Sequence, residues 1–189
     1  MSLRELLKDI HTEAENKPWA KLLMSGEMTA EQYGLYLNQQ HIMYTALEDR
    51  AEEIGVFDDF PEMRRAEIIG FDKMGYSYPA KAMNTTRKYI TYCKTMKYQQ
   101  VFAHMYVRHF GDMFGGQMIK NKIPDPNFAE VGSNDAEWPK GTMYDFDDAP
   151  GTIKRFREYL RDDYADEARK CFQMAINLFT ELEEYYDIQ

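Results

Sequence analysis

The chain has 189 residues, 44% hydrophobic and 29% charged, with 14 tyrosines and a net charge of −9. Such a length and apolar content suit one packed domain and exclude disorder, while the negative charge disfavours nucleic acid and anionic membrane as partners. Cys93 and Cys171 form no CxxC pair and are too few for a disulfide scaffold, and no segment reads as an export signal or membrane span, so a cytoplasmic protein is expected.

The first helix is expected to start at Ser2, because Ser2 and Glu5 form a capping box, and to run until Pro18 interrupts it. Leu3, Leu6, Leu7, Ile10 and Ala14 keep a helical period, and His11 borders that apolar face. A second capping box, Thr29 with Gln32, opens a long helix reaching Gly55, along which Tyr33, Leu37, Tyr44, Leu47, Ala51 and Ile54 recur at three and four. Shorter helices fit Glu62 to Lys73 and Thr85 to Met96. Tyr98 to Lys122 reads as one helix, ended by Pro124 and Pro126. Residues 123–151 are rich in Pro, Gly, Asp and Asn and read as loop. A basic amphipathic piece, TIKRFREYLRDDY, and a final helix, ADEARKCFQMAINLFTELEEYY, close the chain. Strand periodicity and internal repeats are both lacking, which makes the expected class all-α, a single domain over residues 1–189.

Within HFGDMFGGQMIK (109–120) three glycines interrupt a helical pattern. Each costs about 1 kcal/mol relative to alanine, so something must offset them. Spacing i, i+4 puts Gly111 and Gly115 on nearly one side, where either a closely packed helix or a flat bulky ligand could lie. Asp112 sits beside them among Tyr106, Phe110, Met113 and Phe114, where a carboxylate needs partners. A plain ion pair with Arg108, four residues earlier, would be one. His11 is open to two readings as well, a packing histidine or a ligand. A neutral imidazole on one side and bare backbone on the other is what haem binding needs.

Three segments, IHTEAEN (10–16), YTALE (44–48) and HMYVRHFGDMFGGQ (104–117), together resemble haem oxygenase in order and spacing, over nearly the whole chain. The resemblance implies a helical fold in which haem b lies between a proximal helix and a kinked distal helix. It implies His11 as proximal iron ligand, with Glu15 orienting it. On the distal side it implies Gly111, Gly115 and Gly116 beside the ring, Asp112 holding a water network, Tyr44 in the same network, and Arg108 in the distal motif. Arg4, Tyr106, Arg157 and Arg161 are implied to hold the propionates at the pocket mouth. The implied reaction is oxidative cleavage of haem to biliverdin, expected to be the IX-alpha isomer, with release of CO and ferrous iron. It uses O2 and electrons from reduced ferredoxin or another reductase. Chemically, hydroxylation of the ring is served by steric pressure from bare backbone and by proton delivery through water, rather than by a polar group pulling on the far oxygen.

Phe114 stands where the family often has a small residue, and after Arg161 the last helix arrives sooner than in the family pattern, which brings Lys154 in as a substitute propionate ligand. Ending at Gln189, the chain resembles the short soluble members, for which a monomer, an acidic ferredoxin and a downstream bilin reductase are the expected state and partners. Lys17, Lys21, Lys120, Lys122, Lys154 and Arg155 are candidates for the ferredoxin face. A helical haem carrier or sensor would use the same cavity but would have no use for Asp112. A thiaminase-like enzyme would need an activated cysteine, and neither Cys93 nor Cys171 has a histidine or acid arranged beside it in sequence. A ferritin-like di-iron centre would need Glu-x-x-His pairs, which the four histidines do not provide.

Overall fold

A computed structural model describes residues 2–128 and 138–189. Its helices are α1 (Leu3–Leu6), α2 (Lys8–Glu15), α3 (Pro18–Ser25), α4 (Ala30–Glu53), α5 (Val56–Asp59), α6 (Ala66–Asp72), α7 (Asn84–Cys93), α8 (Tyr98–Val107), α9 (His109–Lys120), α10 (Ala149–Arg157) and α11 (Ala165–Tyr185). No strand occurs among the described residues, and no helix among them is long and apolar enough to cross a membrane.

Both expected capping boxes form, Ser2 with Glu5 and Thr29 with Gln32. The N-terminal segment differs from one continuous helix: Leu7 adopts φ −105°, ψ 0° between α1 and α2. Pro18 does more than stop a helix. Its fixed φ starts α3, where the missing N–H is no loss. The expected helix from Glu62 begins later, at Ala66, because the Glu48 carboxylate accepts the N–H groups of Arg65 and Ala66 and so sets the start of α6. Part of the expected 123–151 loop, residues 129–137, lies outside the described residues; α10 begins inside it at Ala149, with the Asp148 side chain accepting from the Gly151 N–H.

α4 is the long central helix. It packs against α6 and α7, while α11 packs against α8, α2, α3 and α7. The buried side chains of α4 include Tyr33, Leu37, Tyr44, Leu47 and Ala51, as the period requires. Gln39 is buried too: it accepts from the Met83 N–H and the Thr86 hydroxyl, replacing a cap side chain at the start of α7. The segment expected to be one helix from Tyr98 to Lys122 breaks at Arg108 (φ −86°, ψ −71°) into α8 and α9. Proline plays no part in this break, which coincides with the Arg108 guanidinium turning into the core.

Candidate active site on the bare face of α9

The interior side of the site is a polar cluster built around the α8–α9 break. Arg108, buried, donates through Nε to the Tyr89 hydroxyl (3.2 Å) and through Nη1 to Gln40 (3.1 Å). The plain i, i+4 ion pair with Asp112, one of the readings open to that carboxylate, is not made among the described residues. Asp112 accepts instead from the Tyr44 hydroxyl, which reaches it across the sequence from α4. Burial pushes the Asp112 carboxyl up to about 7, against the Tyr44 hydrogen bond and the positive charges of Arg108 and Arg65. The same burial, reinforced by the Asp112 charge, holds the Tyr44 phenol well above its ordinary value. Near neutral pH the couple is thus one carboxyl in exchange between its two protonation states, next to a phenol that stays protonated.

On the other side of this cluster, α9 presents a bare face. A Cβ placed at Gly111 or Gly115 would meet nothing within 4 Å among the described residues. Between and beyond them Phe114 and Met118 are 60% and 63% exposed, an unusual burden of apolar surface for one short helix. Gly116 differs. A Cβ there would lie 2.6 Å from the Tyr144 ring, so its missing side chain admits a packing neighbour; the structure places it in the core rather than on the bare face with the other two.

His11, on α2, is exposed: its Nδ1 lies 3.4 Å from Glu15 and its ring meets Phe172 of α11 edge-on at 5.7 Å. Its Nε2 has no hydrogen-bond partner among the described residues, which suits a metal ligand. At one end of the site Arg157 lies over the Phe110 and Phe114 rings at 6.0 and 5.8 Å. The charges of Arg4 and Arg157 both reach the Tyr106 phenol, whose ionisation burial otherwise disfavours. Arg4, Tyr106, Arg157 and Phe114 are thus brought together. Arg161 is not: it forks onto Asp163 at 3.0 and 2.9 Å.

Several groups of the cluster were not singled out from the sequence, namely Gln40, Tyr89, His109, Glu48 as a side-chain ligand, and Arg65. The bonds that tie them into the cluster join residues 17 to 68 positions apart along the chain, so no local pattern marks them. The YTALE segment contained Glu48 without showing what it holds.

The described residues thus combine an all-helical fold, a face of α9 bared at Gly111 and Gly115, a carboxyl–phenol couple joining α9 to α4, and an exposed imidazole on α2, features that suit a flat ligand held against backbone. Solved structures share this fold. That of heme oxygenase-1 from Synechocystis sp. in complex with heme aligns over 97% of this chain and 91% of its own, with a TM-score of 0.79 at 22% identity. The heme oxygenase of Leptospira interrogans aligns over 96% and 100%, with a TM-score of 0.77 at 23% identity. In sequence, "Heme oxygenase 2" of Synechocystis sp. is 30% identical over 175 residues, covering 85% of this chain and 68% of its own. The heme oxygenase family profile matches residues 1–181. This chain belongs to the haem oxygenase family.

Proposed function

We propose that the protein binds haem b between α2 and α9 and cleaves it oxidatively to biliverdin, releasing CO and ferrous iron, with O2 and electrons from an external donor. Family membership supports haem degradation by an oxidoreductase, and two structures of this fold carry heme. The observation that carries the reading is the bare backbone of Gly111 and Gly115 beside the Tyr44–Asp112 couple. A carrier needs the first of these but not the second.

Bound haem supplies the redox-active iron and is itself the substrate. His11 would offer its Nε2 to that iron, with the Glu15 carboxylate 3.4 Å from Nδ1 turning the ring. The bare backbone at Gly111 and Gly115 would let a flat ring lie against α9. Asp112, poised near neutrality, can hold a proton and pass it on through solvent, and Tyr44 fixes the carboxyl that does so. Arg108 places a positive charge behind the Tyr44 ring, 5.6 Å from its centre, and favours the ionised carboxylate after the proton has left. Arg4, Tyr106 and Arg157 hold the propionates; Phe114 bounds the ring edge.

An acidic ferredoxin suits the remaining free cations. Among the described residues Lys17, Lys120 and Arg155 are paired with Glu183, Asp145 and Glu62, whereas Lys21, Lys122 and Lys154 have no such partner and carry the proposal. The first test is a visible spectrum of the protein with one equivalent of hemin, before and after adding reduced ferredoxin or ascorbate in air with an iron chelator. Loss of the Soret band with growth of a broad red absorbance is expected. A Soret band that persists with every donor would support a haem carrier instead.

A further inference from the structure

His109 opens α9 and is fully buried, one residue after the helix break. Its Nε2 lies 3.0 Å from a Glu48 oxygen. That carboxylate already accepts the backbone N–H groups of Arg65 at 2.6 Å and Ala66 at 3.0 Å. Oxygens engaged by two N–H donors face the imidazole as acceptors, so the hydrogen of the third bond sits on Nε2. Burial lowers the proton affinity of His109, with the Arg65 and Arg108 charges acting in the same direction and Glu48 opposing. The ring therefore stays neutral and Nδ1 keeps a bare lone pair. Nδ1 is buried and has no hydrogen-bond partner among the described residues, a cost that an apolar side chain at this position would avoid. The imidazole packs on Tyr44, ring centres 4.8 Å apart and planes 59° apart. Tyr44 in turn donates to Asp112.

We propose that Glu48 and His109 are positioning residues for the Tyr44–Asp112 couple: Glu48 fixes the imidazole, the imidazole fixes the phenol ring, and the phenol holds the carboxyl. The inference rests on the distal role given to Asp112 above, but its geometry lies wholly within the protein and can be read without haem. The charged and titratable groups that bear on the couple are Arg108 at the α8–α9 break, Arg65 before α6, Tyr36 of α4, Tyr144 of the Thr142–Tyr144 turn, and Glu48 through His109. None of them is altered by a change at position 109, so a shift in Asp112 on substituting His109 reports positioning.

The experiment is carboxyl NMR of the haem-free protein with labelled aspartate, titrating Asp112 in the unaltered chain and in three variants. His109→Phe keeps a ring against Tyr44 but loses the bond to Glu48, and Glu48→Gln weakens the same bond from the other side. In His109→Phe the Asp112 midpoint should rise by about half a pH unit or more, because a phenol no longer held in place donates less well to the carboxylate, and in Glu48→Gln it should rise by less, since loss of the Glu48 charge favours the ionised Asp112. His109→Gln, whose amide can still donate to Glu48, should recover most of that shift. Imidazole nitrogen shifts of the unaltered chain should show hydrogen on Nε2 and none on Nδ1 between about pH 6 and 8. With haem bound, His109→Phe should lower kcat about tenfold while leaving hemin affinity unchanged. An Asp112 midpoint that stays put in His109→Phe overturns the proposal, as does hydrogen found on Nδ1. If Glu48→Gln does not fold, the Phe and Gln variants at 109 decide alone. Failure of the unaltered chain to degrade haem would instead refute the proposed function and leave the NMR comparison intact.

Discussion

The two faces of α9 are built on opposite terms. On the inner face Gly116 lacks a side chain because Tyr144 occupies the space, Gln117 donates to the Tyr144 carbonyl, and Phe110 is buried. On the outer face Gly111 and Gly115 lack side chains and none of the described residues takes the space, while Phe114 and Met118 stay largely exposed. A packing glycine is justified by contacts within the fold; the outer pair lowers helix stability with no contact to offset it. The same residue type thus answers to folding on one side of a helix and to a ligand on the other.

The sharpest way to break this contrast is to remove the one group that makes the outer face catalytic in the proposed reaction. Asp112→Ala should bind hemin normally and lose about 10²- to 10⁴-fold in biliverdin formation, the range a positioned proton donor supplies; a normal yield would take Asp112 out of the mechanism. Next comes the inner face. Gly116→Ala forces its methyl into Tyr144 and should lower unfolding free energy by about 1–3 kcal/mol in urea, with or without haem.

A pH-dependent effect follows from Asp112. Its folded-state pKa, about 7, lies above the 3.8 of an ordinary aspartate, so between these values the native chain holds a proton that the unfolded chain has lost. Asp112 therefore weakens the fold progressively as pH rises through that window. Asp112→Asn should stabilise the haem-free protein by about 1–2 kcal/mol more at pH 8 than at pH 4, after allowance for the partial exposure of the carboxyl. Thermal melts at the two pH values give the difference. Smallest in stability terms, Gly111→Ala should raise haem-free stability by up to about 1 kcal/mol and at the same time weaken hemin binding. Stability lost at Gly111 and gained at Gly116 would invert the contrast between the faces.

Local chemistry made much of the fold legible. The capping boxes at Ser2 and Thr29, the apolar period of the long central helix and the prolines at 124 and 126 act within a few residues, and the corresponding elements form as expected. α3 and α5 were not anticipated, because an eight- or four-residue helix carries too little periodicity to stand out. The break at Arg108 was invisible to local pattern for a different reason: its guanidinium is drawn to Tyr89 and Gln40, neither of which is a sequence neighbour. Arg161 shows the reverse, where a match by spacing gave way to a carboxylate two residues away.

The sequence by itself determined the helical class, the histidine at position 11, the glycine-rich stretch and the aspartate within it, since residue type and short spacing carry all of these. Only the tertiary structure decided which glycines are bare and which is packed, that Asp112 answers to Tyr44 rather than Arg108, and that His109 and Glu48 stand behind them. Those outcomes depend on which side chains meet across dozens of residues, and burial there sets both the partners and the protonation of every group involved.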